Sequence, residues 1–303
     1  MKTFYPDSMT VPEIHKLMVG GVAPRPIALV STLSKDDIPN LAPYSFFNIM
    51  SINPTMVAFS TTYRGSERGN KDTHNNLLQT RQCTISVVPH SLVQQINVSA
   101  VEFEANVDEF KKSGLTPIAS TLVKPARVSE SPFQLECELF IMINSGGKPG
   151  AGNIAICKVL AIHIDESKFT EGYVDPVKMD LVGRMSADFY SRADASSVFT
   201  VPRPASKNCI GFEGLPEFVR TSKILSGNSI GLLANQMSLP TKDDMIHWEH
   251  ERNKSVFSEE IVALSKAGAF EKVEFFIENL LSTSQNASDV LGALNLISIL
   301  KNN

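Results

Sequence analysis

The stretch PFQLECELFIMINSGGKPGAGNIAICKVLAIHID, residues 132–165, decides the fold class. Two runs rich in Leu, Ile, Val and Phe flank SGGKPGAGN, a connection made of the residues that reverse a chain. The second run, Ile154 to Asp165, reads as one long strand, and the Gly- and Pro-bearing segment before it as a hairpin turn. Pro132 breaks the first run from ARVSES, which is itself strand-like. No helical crossover separates these segments, as a parallel sheet would require.

The same texture extends toward the N-terminus. APRPIALVSTLSKDDIPNLAPYSFF carries an apolar strand from Ile27 to Ser31, a turn around Asp36, Asp37 and Pro39, and an extended segment near Tyr44 to Phe47. Pro54 precedes a third strand, Met56 to Ser60, and CTISVVP supplies another from Cys83 to Pro89. Thr10, Pro12 and Glu13 have capping-box spacing and start a short helix that Gly20-Gly21 ends. Short helices are also expected over Leu92 to Ala100 and within VDEFKKSGL, which Gly114 closes. Repeated strands with turn signals and no βαβ alternation argue for an antiparallel barrel, mainly β with α additions, whose ligand site is built at the rim.

With 303 residues, the chain exceeds a typical single domain, which favours one large domain or a domain with an appendage. Hydrophobic residues at 43% and charged residues at 20% supply ample core and an ordinary polar surface. A net charge of −4 gives no field for non-specific nucleic-acid or membrane-surface binding, so basic residues must act locally. Cys83, Cys137, Cys157 and Cys209 form no CxxC pair, which argues against a zinc ribbon or thioredoxin-type motif. Reduced thiols, an N-terminus without an apolar signal region and no run of membrane-spanning length read as a soluble cytoplasmic protein.

One polar stretch stands out, TTYRGSERGNKDTHNN from Thr61 to Asn76. Arg64, Arg68 and Lys71 bring three cations together, Gly65 and Gly69 free the backbone, and Asp72 and Thr73 are good N-cap residues for a helix over Thr73 to Thr80. A helix N-terminus offers unpaired N–H groups and a positive dipole end, so a phosphate would meet donors and cations there. A solvated charged loop between strand and helix has the same composition, and the stretch alone leaves both readings open.

The blocks around it supply more. RPIALVSTLS (25–34), NLAPYSFFN (40–48), NPTMVAFS (53–60) and NKDTHNNL (70–77), in this order and spacing, resemble the flavin reductase-like family with an FMN-binding split barrel. VDEFKKSGL (107–115), ARVSESPFQLECEL (126–139) and GRMSADFYSR (183–192) continue the resemblance over about residues 10 to 200. It implies a six-stranded split barrel that pairs into a homodimer, with FMN in a groove near the subunit boundary. It also implies that Arg68, Lys71, Asp72 and Thr73 contact the phosphate, with Asn76 just behind. Ser31, Thr32, Ser45 and Ser60, with the backbone around Phe46, Phe47 and Asn48, match positions that hold the isoalloxazine and ribityl portions. Arg184 and Tyr190 match an Arg and a Tyr that approach the cofactor or substrate face, while Ser186-Ala187 stand where the family often has a glycine pair. Arg64 and Glu67 fall outside the matching part and revert to the solvated reading.

The activity implied is hydride transfer from NAD(P)H to flavin, with no dedicated acid–base pair and, in some members, a partner monooxygenase. The alternative is a non-catalytic flavin- or haem-binding barrel with a helical docking tail. From about Gly214, apolar residues such as Val273, Phe276, Ile277 and Leu280 recur at helical spacing, giving domains at 1–213 and 214–303, the second an α-helical extension. His74 could contact phosphate or nicotinamide, and a solvent-facing helix histidine is at least as good a reading. Adjacent Phe46 and Phe47 on a strand point to opposite faces, so at least one belongs to the core. His247 and His250 lack the HExxH spacing of a metal site, and GGKPGAGN lacks the GK[ST] that closes a Walker A loop.

Overall fold

The computed structural model describes residues 1–63, 69–201, 209–251, 258–283 and 287–302. Arg64, Gly65, Glu67 and Arg68 of the polar stretch lie outside the described residues, as does the side chain of His250. Two compact units result, Met1–Phe199 and Thr200–Asn303.

In the first unit, seven strands form one antiparallel sheet: β1 (Ala28–Leu33), β2 (Pro39–Tyr44), β3 (Phe47–Ile52), β4 (Thr55–Thr62), β5 (Gln82–Ser86), β6 (Phe133–Asn144) and β7 (Gly152–Ile164). Their order is β2-β1-β5-β6-β7-β4-β3. The opening hairpin is β6 and β7, paired from Phe133↔Ile164 to Asn144↔Asn153. The sheet curls so that its ends approach where β2 turns into β3: the Ser60 N–H donates to the Phe46 carbonyl at 2.9 Å, and the Tyr44 and Phe59 rings lie 5.4 Å apart. The count is one more than the resemblance implies, because Phe47–Ile52 pairs with β4 as an outer strand.

Strand alternation divides the apolar residues between two cores. On β1, Ala28 and Val30 face the barrel interior with Phe59, Ile85, Cys137, Leu139 and Cys157. Its other face gives Leu29 to a cluster with Leu41, Leu92, Ile96 and Phe110, which helices cover. Those helices include α3 (Val93–Ser99) and α4 (Glu109–Ser113), preceded in the chain by α1 (Val11–Gly21) and α2 (Asp72–Thr80). Asp108 caps α4 by accepting from the Phe110 and Lys111 N–H groups, and Gly114 closes it in the left-handed region. Inside the barrel, contact with Cys137 and Cys157 and then burial push the Cys83 thiol well up, which makes it unreactive.

Two expectations are corrected. The second strand occupies Pro39–Tyr44, ahead of the expected Tyr44 to Phe47, and the chain bends at Ser45 and Phe46. The N-cap of α2 is Lys71, without a side-chain capping bond, and neither Asp72 nor Thr73 takes that place.

The second unit is helical: α5 (Gly227–Ala234), α6 (Lys242–Glu251), α7 (Glu259–Lys266), α8 (Phe270–Thr283) and α9 (Ala287–Lys301). Its core joins Leu233, Val273, Ile277, Leu281, Leu294 and Ile297, with Ile210 packed against it. Consecutive buried positions on α9, from Ala293 to Ser298, mark it as enclosed by the others. Among the described residues no helix is long and apolar enough to cross a membrane.

Candidate functional site

The site follows from how four short segments end against one another. Helix α1 starts at a complete capping box, in which Thr10 N and Oγ1 donate to Glu13 Oε2 at 2.9 and 2.7 Å. It stops at Gly20-Gly21, turning the Val22 N–H back to the Met18 carbonyl. Its side chains face the bend after β2 and the ends of β4 and α2. A hairpin of β8 (Val182–Arg184) and β9 (Tyr190–Arg192) adds another wall through Met185, Ser186 and Ala187. Between these segments lie two adjoining cavities of about 630 and 1040 Å³. Both are lined by His15, Arg25, Ser45, Phe46, Thr62 and Lys71, so they form one groove.

The residues singled out in the sequence divide into three groups. Ser45, Phe46, Phe47, Asn48, Ser60, Lys71 and Arg184 line the groove. Phe46 is exposed into it from the bend after β2, while Phe47, the first residue of β3, also packs against the barrel core. Lys71 holds its ammonium 5.6 Å from the centre of the Tyr44 ring, at the start of α2. Gly69, at φ 63°, allows the turn that leads into it.

A second group lies behind the wall. Ser31, Thr32, Thr73 and Asn76 are buried and contribute no lining to either cavity. The Thr32 hydroxyl accepts from Asn40 Nδ2 at 3.2 Å and Asn76 Nδ2 at 3.1 Å. Thr73 Oγ1 accepts from Asn40 Nδ2 at 2.9 Å and from the Tyr44 hydroxyl at 2.8 Å. This network ties α2 to β1 and β2 and thereby fixes where the helix N-terminus points. Asp72 borders a smaller hollow of about 100 Å³ with Lys71, Glu102 and Glu109. Tyr190 lines a separate hollow that it shares with Arg184, whose guanidinium carbon is 4.6 Å from the ring centre. The third group is Arg68, which lies outside the described residues.

The roles of Arg25, Glu109, His15 and Lys16 escaped sequence reasoning, and His74 is not where a solvent-facing reading put it. Arg25 is 7% exposed and donates from Nη1 to the Val19 and Val22 carbonyls, both at 2.6 Å, and from Nη2 to the Met185 carbonyl at 2.9 Å. Burial first, and then the charge of Arg184, lower its pKa from the ordinary value. A cation just after a helix that ends in Gly-Gly was the available signal. His74 is 2% exposed, not solvent-facing, and burial pushes its imidazole below the usual range. Glu109 is buried in the wall, where desolvation raises its pKa although its Oε2 accepts the Leu41 N–H at 3.0 Å. His15 and Lys16 reach the groove from α1 and carry no sequence signal beyond polarity.

A family model described as the flavin reductase like domain matches residues 20–178. The chain belongs to that family. An uncharacterised protein of Halalkalibacterium halodurans is 31% identical over 201 residues, 66% of this chain and 95% of the relative. Among solved structures, nitrilotriacetate monooxygenase component B from Bacillus cereus is 28% identical with a TM-score of 0.62, covering 66% of this chain and 98% of that one. A Shewanella frigidimarina structure with a flavin reductase split barrel domain shares the fold at 19% identity and a TM-score of 0.57, over 67% and 100% of the two chains. The seven-stranded curled sheet is therefore the split barrel of this flavin reductase-like chain, and the groove lies on it.

Proposed function

We propose that the flavin reductase-like unit binds FMN in this groove and passes hydride to it from NAD(P)H. The observation that carries the reading is the placement of Lys71 and the N-terminus of α2 at one part of a groove that continues past polar hydroxyls to an exposed aromatic ring. A phosphate suits the lysine and the helix end, a polyol suits Ser45, Ser60 and Thr62, and a flat ring suits the apolar part formed by Met18, Val22 and Phe46. That donor set matches the three chemical parts of a flavin mononucleotide.

A bound flavin supplies the hydride-accepting chemistry itself. The chain's own residues have narrower tasks. Lys71 offsets the phosphate charge, the Thr32–Asn40–Thr73–Asn76 network aims α2, and Phe46 shields the ring from water. Arg68 is assigned to the phosphate on the resemblance alone. Ser31 and Thr32 act through the wall they build, and Arg184, supported by Tyr190, marks the side from which a nicotinamide or other substrate approaches.

The same reading includes a homodimer and a cytoplasmic setting. β3 exposes Ile49, Met50 and Ile52, and β6 and β7, which lie beyond β4 in the sheet, expose Phe140, Ile143 and Ile162. Exposed apolar strand residues of this kind suit packing against a second copy of this chain. Four free cysteines suit a reducing compartment. The similarity to a monooxygenase component B supports service to a partner oxygenase, and the helical unit is the element we assign to partner docking.

Steady-state oxidation of NADH and NADPH, with and without added FMN, tests the activity. FMN-dependent nicotinamide oxidation is expected. A chain that binds FMN but is reduced by neither nicotinamide would leave only the binding-module reading, and one that does neither would overturn both.

A further inference from the structure

Two walls of the groove, α1 and the β8–β9 hairpin, flank the span that the family model matches, at residues 11–21 and 182–192 against 20–178. A helix end leaves carbonyls without partners, and the last turn of α1 presents those of Val19 and Val22 toward Arg25. The same guanidinium reaches across 160 residues of sequence to the Met185 carbonyl at the hairpin tip. Backbone pairing reinforces the link, since Arg25 N donates to Arg184 O at 3.0 Å and Arg184 N donates to Arg25 O at 2.8 Å. The approach is close enough to require glycine: a Cβ at Gly183 would stand 2.8 Å from Pro24 Cβ. Two residues beyond Met185, Ala187 holds φ 45°, a left-handed conformation that a non-glycine residue keeps only when its surroundings impose it.

We propose that Arg25 is a positioning residue that sets the width of the groove by tying the end of α1 to the hairpin tip. Arginine suits this task because its rigid planar fork serves carbonyls on two sides at once, which a lysine ammonium on a flexible stem does with less geometric control. Three of its N–H groups go to protein carbonyls, while Nε is buried without a hydrogen-bond partner and the residue lines the groove, so a positioning effect is told from direct phosphate contact by whether FMN and riboflavin respond alike. The functional part of the inference rests on the FMN reading above, whereas the tie between the walls stands apart from it.

Arg25→Met keeps the aliphatic stem and removes the donors, and Arg25→Lys restores the charge with fewer contacts. Hydrogen–deuterium exchange of the ligand-free chain should show faster exchange at the end of α1 and across β8–β9 together in Arg25→Met, with the β4–β7 pairing unchanged. Fluorescence titration should show FMN and riboflavin affinities falling by the same factor, about tenfold or more, with partial recovery in Arg25→Lys. Should Arg25→Met fail to fold, Gly183→Ala displaces the hairpin from Pro24 and the Ser191 hydroxyl while leaving the Arg25 guanidinium in the chain, and should weaken both flavins alike. Exchange that rises in one wall only, or in neither, would overturn the tie. A loss confined to FMN would make Arg25 a phosphate ligand and overturn the positioning role. If the native chain binds no flavin, the FMN reading fails with its functional consequence, while the exchange comparison still decides whether Arg25 couples the walls.

Discussion

Replacing Lys71 by Met separates the phosphate contact from everything else the groove does. The lysine is half-buried at the N-cap of α2, with its ammonium near the Tyr44 ring. Methionine retains most of the stem that packs there and deletes the charge. In a medium of effective dielectric about 20, two unit charges 4 Å apart attract by about 4 kcal/mol. Partial exposure reduces that figure, and charge-assisted hydrogen bonds retain about 1.5–3 kcal/mol in practice. At about 1.4 kcal/mol per factor of ten, the FMN dissociation constant should rise about tenfold to hundredfold. The helix N-terminus persists in the variant, so binding is weakened and not abolished. Riboflavin, which has no phosphate, should bind native and variant chains equally. Fluorescence titration with both flavins, alongside circular dichroism to confirm folding, measures the difference. An unchanged FMN affinity, or an equal loss for FMN and riboflavin, would refute the assignment of Lys71 to the phosphate.

Further outcomes follow from buried polar groups and from the helical core. Thr73→Val removes the acceptor shared by Asn40 Nδ2 and the Tyr44 hydroxyl and should cost about 1–3 kcal/mol in urea denaturation. Glu136 is buried and accepts the N–H groups of Thr121, Leu122 and Val123 at 2.8, 2.5 and 3.2 Å, with His163 Nε2 at 2.7 Å. Burial alone would raise its pKa, but these bonds outweigh that effect and lower it. Its contribution to stability is therefore present above the unfolded carboxylate pKa of about 4.3 and lost as pH falls through the depressed folded value. Glu136→Gln should flatten the acid limb of the stability curve, and an unchanged limb would contradict this assignment. Glu109 has the opposite sign: its raised pKa favours the protonated form, so stability is lost as pH rises through the folded value. Glu109→Gln should therefore reduce that loss in denaturation series run above pH 5. Ile297→Ala, at a fully buried position, should destabilise the helical unit by about 2–5 kcal/mol and lower its melting transition.

The central hairpin was legible because its alternation and its Gly- and Pro-rich turn act locally, and β6 and β7 form where that pattern places them. The capping box of α1 was legible for the same reason. Strand β2 was displaced in the sequence reading because Pro39 and Pro43 look like strand breakers. They are tolerated because β2 is an edge strand, where a missing N–H need not interrupt a ladder. On α2, a solvent-facing His74 was a plausible reading because the helix is polar throughout its first turns. Thr73 and Asn76 turn inward because partners on β1 and β2, more than thirty residues away in sequence, satisfy them, and His74 is buried beside them. Arg25 stands just after the Gly-Gly helix stop, but its far partner could not be read from there, because the Met185 carbonyl it serves lies 160 residues downstream. Local chemistry thus announced the antiparallel sheet and Lys71, and the family resemblance brought in the rest of the expected groove lining, while the residues that orient those parts depend on pairings that only the fold creates.

Anaerobic titration of the FMN-loaded protein with NADH and NADPH tests the central claim most directly. Loss of the oxidised flavin's visible absorbance at one reducing equivalent pair per bound FMN, with at least one of the two nicotinamides, is the result this account predicts. Bound flavin that keeps its oxidised spectrum with both nicotinamides would contradict it.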